Sequence, residues 1–319
     1  MIEPLASING KQIPISQASL HIFDLGIVLG ASVTEMARTF QHACFRLDDH
    51  IERLFRSLKH VGFAMELTRS QLVEIAMELV AHNAPLISAT HDLGVSIFIT
   101  AGTSLTYTGM AGLATCRTPS VVVHTFPLPF ELWSEKLEQG QHVITPSTRH
   151  LPPECLDPKI KSRSRMHWYL ADEQVRAADP KAIALLVDRQ DCISETSTAN
   201  FFIVQGRTIV TPTGRNTLHG ISQAVVQQLA AELGLGFEHR DFQTYDVVNA
   251  DEAFTSSTPY CIMPVTKINH RPIGSGQPGP VFNELLTAWS RHVGIDLRQQ
   301  MHNGAKERRA SVGLSTDRI

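Results

Sequence analysis

The 319-residue sequence has little of what marks several large classes of protein. Its five cysteines, Cys44, Cys116, Cys155, Cys192 and Cys261, are odd in number and never fall as CxxC. That argues against a disulfide framework or a zinc knuckle and for reduced thiols in a cytoplasmic protein. Fifteen histidines are present, but neither HxxxH nor HExxH occurs, so no metal site is expected. With a net charge of −3 and a pI of about 6.6, the chain has no excess of basic residues to meet nucleic acid or an anionic membrane surface. The opening stretch MIEPLASINGKQIP lacks a basic and then apolar region, so no signal peptide is expected. No apolar run approaches the roughly 20 residues of a membrane span. Gly26 and Gly30 form a GxxxG, yet no GK[ST] follows, which argues against a P-loop. No internal repeat is visible. What remains is a chain that is 43% apolar, enough for a full core in one large or two medium domains.

Strand and helix signals are intermixed. Short strands are expected up to residue 23, broken by the turn signal Asn9-Gly10, followed by a glycine loop and a strand over 33–40. A strand over 45–47 precedes a helix capped by Asp48 or Asp49, with Ile51, Leu54, Phe55, Leu58 and Val61 on one face. A second helix is expected after Ser70, then strands over 94–101 and 120–126. The Pro127-Leu128-Pro129 run suggests a boundary: an N-terminal domain over 1–126, a linker over 127–139 and a C-terminal domain over 140–297. The second half predicts a helix over 164–178, strands over 182–187, 200–204 and 208–211, and a helix over 221–233. A short helix over 246–250, strands over 252–256 and 262–268 and a helix over 280–293 follow. Without strict βαβ alternation, mixed or antiparallel sheets are expected in an α+β fold. Residues 298–319 are polar without apolar periodicity and read as a tail.

Four features could carry chemistry. Lys161 lies in a short extended run directly before a helix, with Arg163 and Arg165 near enough to lower an amine's pKa. By itself it also fits an ordinary exposed lysine. Glu195 ends a strand just ahead of Thr196, Ser197 and Thr198, where a buried carboxylate could hold a protonated ring nitrogen. Gly220-Ile221-Ser222 opens an amphipathic helix whose first N–H groups face whatever precedes them. Ser256-Ser257-Thr258 follows a strand with further hydroxyls. Arg53, by helical spacing alone, falls opposite the apolar stripe and reads as solvated.

In this order, DLGIVLGASVTEMARTF, FRLDDHIERL, DPKIKS, ISETSTANFFIV, LHGIS before a helix and ADEAFTSST…MPV resemble the fold-type IV (class IV) pyridoxal-phosphate (PLP) aminotransferases. That family contains branched-chain and D-amino-acid aminotransferases and aminodeoxychorismate lyase, and the similarity runs from about residue 9 to 295. The resemblance implies a two-domain, mixed α/β fold of the D-amino-acid aminotransferase type, PLP as cofactor, and a homodimer. It implies that Lys161 forms the Schiff base with PLP and shuttles the proton, and that Glu195 pairs with the pyridinium nitrogen. Arg53, Gly220, Ile221, Ser222 and Thr258 would hold the phosphate, with Ser257 and Thr198 close by, which reverses the solvated reading of Arg53. Arg38 matches a basic position of the family, and Arg165 resembles a position of aminodeoxychorismate lyase; both are candidate substrate residues. Departures are specific. Met166 stands where branched-chain enzymes carry a tyrosine, and Gly220-Ile221-Ser222-Gln223 replaces a Gly-Ile-Thr-Arg signature. GTSLTYTG, residues 102–109, lacks the arginine and histidine with which D-amino-acid enzymes grip the substrate carboxylate. The implied activity is amino transfer between an amino acid, branched-chain-like in preference, and a 2-oxo acid. The alternatives are a lyase of the aminodeoxychorismate type releasing pyruvate, or a non-catalytic binding protein of the same fold.

Overall fold

The computed structural model describes residues 2–113 and 118–312, with side chains through residue 310, so Cys116 and residues 313–319 lie outside the described part. The chain forms two compact units, Met1–Leu128 with Ile160–Arg165, and Pro129–Lys159 with Met166–Ile319.

In the first unit, β1 (Leu5–Ile8) and β2 (Lys11–Pro14) form a hairpin whose turn residues Asn9 and Gly10 both have positive φ. A one-turn α1 (Leu25–Val28) leads to β3 (Ser32–Phe40) and β4 (Ala43–Phe45). Next come α2 (Leu47–Val61), α3 (Arg69–Asn83), β5 (Leu93–Thr100) and β6 (Ser120–Pro127). The six strands lie in the order β2-β1-β6-β5-β3-β4, every pair antiparallel. Strand alternation puts Val33, Ala37, Val95, Ile97, Ile99 and Val123 on one face, buried with Leu54, Leu58, Leu72 and Leu79 of the helices. The helix starts differ from those expected. Arg46, in the left-handed region, precedes α2, so Asp48 and Asp49 sit in its first turn, favoured there by the helix dipole. Thr68 rather than Ser70 caps α3, in a reciprocal box with Gln71.

The segment Ile160–Arg165 belongs to this unit, not to the C-terminal domain in which the sequence placed it. The reason is a shared strand edge. β4 pairs with β3 only over residues 38–40, and the other end of that edge takes the Lys161 segment. Thr34 N–H donates to the Lys161 carbonyl at 2.8 Å, Arg163 N–H donates to the Ser32 carbonyl at 3.0 Å, and Ser162 bridges Val33.

The second unit begins where a linker was expected. Phe130–Leu132 is a 3-10 turn and Ser134–Gln139 is helix α4, because Phe130 and Leu137 are fully buried. There follow β7 (Gln141–Ile144), α5 (Met166–Ala178), β8 (Ile183–Val187), β9 (Ile193–Thr196), β10 (Asn200–Gln205) and β11 (Thr208–Thr211). Then come α6 (Ile221–Glu232), β12 (Gly236–His239), α7 (Thr244–Val248), β13 (Glu252–Ser257), β14 (Cys261–Ile268), β15 (Arg271–Pro272), α8 (Pro280–Val293) and α9 (Leu297–Val312). The sheet runs β12-β11-β10-β13-β14-β7-β8-β9, and β9 also pairs with β10, so six of its strands close into a ring. β11–β12, β14–β7 and β7–β8 are parallel and the other pairs antiparallel, which makes the sheet mixed. One core holds Val143, Leu185, Phe201, Ile203, Phe242 and Val265. On the α6 and α8 side, Phe202 stacks on Phe254 with centroids 4.7 Å apart.

Residues 298–312 are not a tail but most of α9. Leu297, Met301 and Ala305, four residues apart, are buried among charged neighbours. Gly304 lies directly on the Phe130 ring, where a Cβ would overlap Phe130 Cδ2. Arg308 pairs with Glu131, and Arg298 and His302 pair with Glu138. A stripe this narrow carries no visible periodicity in the sequence.

Candidate active site

Lys161 is half-buried on the β3 edge of the first unit. The residues behind that edge are charged. Glu35 points inward from β3 and is 0% exposed, and α2 turns His50 and Arg53 toward it. Arg53 Nε donates to Glu35 Oε1 at 2.6 Å and Nη2 donates to Oε2 at 2.8 Å, while His50 Nδ1 lies 2.8 Å from Oε2. Burial on its own would raise the Glu35 pKa, but the Arg53 charge and the hydrogen bonds from Arg53 and His50 bring it down to about 2. His50 is held below the ordinary histidine range, first by burial and further by the charges of Arg53 and Lys161, against the pull of Glu35. Arg53 is therefore neither solvated nor opposite the core. The buried face of α2 is wider than the stripe suggested, because His50, Arg53 and Ser57 line up at spacings of three and four.

Arg38 does not join them. It is 1% exposed, its Nη2 lies 3.6 Å from Asp92, its Nε donates to the Thr39 carbonyl, and its guanidinium stacks over Phe40 at 3.9 Å. This corrects its reading as a substrate residue: it is a core cation that ties β3 to the start of β5. Arg165 ends the Lys161 segment, partly buried, and Met166 begins α5 with 69% of its surface exposed.

In the second unit, Glu195 and Asn200 form the single residue pair that joins β9 to β10. The Glu195 carboxylate is fixed on several sides. Asn200 Nδ2 donates to Oε2 at 3.3 Å, the Leu218 N–H donates to the same oxygen at 3.2 Å, and His150 Nε2 lies 3.9 Å from Oε1. Asn200 Nδ2 also donates to the Leu218 carbonyl at 2.8 Å, which ties the strand to the loop before α6. Gly220 caps α6 where only glycine fits, since a Cβ would overlap Asn200 Oδ1. Ile221 and Ser222 then occupy the first turn, whose N–H groups have no intrahelical acceptor. Gln223 Oε1 accepts the Gly220 N–H at 3.3 Å, which gives this departure from the signature a capping role.

In register, Ser256 lies directly across from Asn200, and its buried hydroxyl has no hydrogen-bond partner among the described residues. Ser257 Oγ donates to the Thr198 carbonyl at 2.7 Å, so these two residues brace one another, and Thr258 follows partly buried. The second unit thus brings Glu195, Thr198, Gly220, Ile221, Ser222, Ser257 and Thr258 around one strand row. Asn200, His150 and Leu218, which hold Glu195, were not singled out from the sequence, nor were Glu35 and His50, which hold Arg53. The polar Asn200 opening the apolar run FFIV was the available signal.

A family model described as amino-transferase class IV matches residues 32–268, more than half of the chain. A putative branched-chain-amino-acid aminotransferase of Methanocaldococcus jannaschii is 29% identical over 296 residues, covering 90% of this chain and 98% of its own. A D-alanine aminotransferase of Bacillus licheniformis is 29% identical over 287 residues, covering 89% and 95%. Among solved structures, the branched-chain amino acid aminotransferase of Escherichia coli superposes with a TM-score of 0.81 at 23% identity, covering 90% of this chain and 94% of its own. That of Thermobaculum terrenum in its PLP form gives 0.78 at 24% identity, covering 93% and 96%. These two likenesses concern the fold.

Proposed function

Because the chain belongs to the class IV amino-transferases, we propose that it is a PLP-dependent transaminase passing an amino group between a branched-chain-like amino acid and a 2-oxo acid. Similar chains named for branched-chain amino acids and for D-alanine leave two donor classes, and the branched-chain class is the one we favour.

The observation that carries the reading is the Glu195 site. A carboxylate braced by Asn200, Leu218 and His150 lies next to a glycine-capped helix start, with the orphaned Ser256 hydroxyl in the same strand row. Those donors and acceptors fit a cofactor with a protonated ring nitrogen and a phosphate group. When bound, PLP supplies an electron sink for the substrate's α-carbon. Glu195 would keep the ring nitrogen protonated. Ile221 and Ser222 N–H groups, the Ser222 hydroxyl and Thr258 would hold the phosphate, with Thr198 and Ser257 bracing that side. The resemblance to the family assigns Arg53 to the phosphate as well, with Glu35 holding its guanidinium through Nε and Nη2. Lys161 Nζ would anchor the cofactor, take the proton from the substrate's α-carbon and return one.

The test is spectroscopic and covalent. Purified protein with PLP should absorb in the visible, and borohydride should trap the cofactor on Lys161 in peptide mapping. Lys161→Ala should still bind PLP in part and lose turnover. A colourless protein with no labelled Lys161 peptide defeats the reading. Release of pyruvate without any 2-oxo acid acceptor would favour the lyase instead.

A homodimer is part of the proposal. Loops 19–30 and 102–113 of the first unit are laced together through Leu25 N–H to the Gly102 carbonyl and Ser104 N–H to the Phe23 carbonyl. They leave Ile22, Ile27, Leu29, Tyr107 and Leu113 each more than half exposed, an apolar surface suited to a second copy. Sedimentation should give twice the chain mass. A cytoplasmic location is proposed from the cysteine usage, and no described helix is long and apolar enough to cross a membrane.

A further inference from the structure

Arg163, two residues beyond Lys161 on the same β3-edge segment, is held in a way that no part of the fold explains. Its guanidinium carbon lies 5.4 Å from the centre of the Phe98 ring, and its Nη2 donates to Ser96 Oγ at 3.3 Å. Among the described residues, no carboxylate lies within ion-pair distance of it. The other arginines with a role in this unit's core have one: Arg53 has Glu35 and Arg38 has Asp92. The surroundings are also poor in compensating charge. Ser96 is buried, and the neighbouring His124, which rings with Phe98 and Phe126, is kept below the ordinary histidine range first by burial and also by the Arg163 charge.

The residue as a whole stays exposed, yet the desolvation of its guanidinium pushes its pKa below the usual arginine value. An arginine stays protonated through such a shift, so the cost is borne as an uncompensated cation until an anion arrives. One face rests on an aromatic ring and one N–H on a fixed hydroxyl. The remaining fork is therefore oriented before any ligand binds, and a planar carboxylate is the anion whose two oxygens fit it.

We propose that Arg163, oriented by Ser96 and Phe98, receives a carboxylate of the amino-acid and 2-oxo-acid substrates. This rests on the reading of Lys161 as the reactive amine, and it assigns the carboxylate grip that residues 102–109 lack. The substrate's α-carboxylate and the side-chain carboxylate of a dicarboxylic partner share the required chemistry, and separate probes tell them apart.

The experiment measures binding rather than turnover. Holoenzyme is titrated with 4-methylpentanoate, its neutral amide and glutarate, for the unaltered protein, Arg163→Met and Arg163→Lys. Phenylglyoxal labelling of Arg163 is followed by mass spectrometry with and without each carboxylate. Loss of a charge-assisted pair should weaken carboxylate binding about 10- to 100-fold in Arg163→Met and leave the amide unchanged. Lysine should recover part of it, and carboxylate should protect Arg163 from labelling in the unaltered protein. Loss for both acids assigns the α-carboxylate; loss for glutarate alone assigns the distal one. Undiminished binding of both acids by Arg163→Met, or labelling that carboxylate does not slow, overturns the proposal. The visible absorbance of the cofactor, read in the same samples, reports on Lys161 separately: its absence would sink the PLP reading, while the labelling result would still decide on Arg163.

Discussion

Glu35 and Arg53 meet side-on, through Nε to Oε1 at 2.6 Å and Nη2 to Oε2 at 2.8 Å, with both side chains almost wholly buried. Removing one partner strands the other's charge in the core. Arg53→Met or Glu35→Gln should each destabilise the protein by about 3–5 kcal/mol. The double variant should cost clearly less than the sum, since neither charge is then left alone. Urea denaturation of the three variants measures the coupling, and additive losses would mean that the two do not act as a pair.

Acid should weaken the same unit in a defined window. The Glu35 pKa falls from 4.5 to about 2 in the folded protein, so the unfolded chain takes up a proton first as pH drops. Its contribution is complete above about 4.5 and is lost as pH falls through about 2, on the order of 3 kcal/mol in all. His50, also lowered, works in the same direction: the unfolded chain protonates it near 6.5 while the fold resists. Unfolding midpoints at pH 7, 5 and 3 should therefore decline steadily, and Glu35→Gln should flatten the part below 4.5.

Gly220→Ala tests how closely Asn200 couples the helix start to Glu195. The added methyl would overlap Asn200 Oδ1, so either the amide or the first turn of α6 must move. Displacing the amide removes its hydrogen bonds to Glu195 and to the Leu218 carbonyl. PLP affinity should drop at least tenfold, roughly the worth of one hydrogen bond to a charged group. Equilibrium dialysis measures it; unchanged affinity would mean that the cap and the carboxylate are independent.

Gly304→Ala should lower the melting temperature through overpacking against Phe130, at a cost of about 1–3 kcal/mol. Phe130→Leu in the same chain should recover part of the loss by making room. A Gly304→Ala protein as stable as its parent would mean that α9 does not rest on that ring.

The chemistry-bearing residues on turns and element starts were legible because backbone geometry restricts what can stand there. Gly220 before α6 and Lys161 in an extended run are of this kind, and their order with Glu195 and Thr258 pointed to the family. What supports them was not legible. Glu35 is one acid in a strand that also carries Ser32, Thr34, Arg38 and Thr39, and nothing local marks it as the anchor of Arg53 eighteen residues on. Arg53 read as solvated because a stripe drawn from apolar residues alone omits a helix face buried by polar pairing. α9 was missed because its buried residues, Leu297, Met301 and Ala305, are few and stand among charged neighbours, with glycine at the tightest contact. The allegiance of Ile160–Arg165 depends on β4 being too short to cover β3, a fact about a strand far back in the sequence.

That short β4 has a consequence for how the protein can be cut. A fragment ending at Leu128 would keep all six strands of the first sheet and lose the Lys161 segment. Thr34 N–H and the Ser32 carbonyl would then be left on an open strand edge, beside the buried-face residue Val33. Unpaired edges of this sort recruit other chains. The Lys161 segment is also the guard on that edge, so the fragment should form open-ended aggregates where the intact chain stops at its proposed homodimer, and supplying residues 157–166 as a peptide should suppress them.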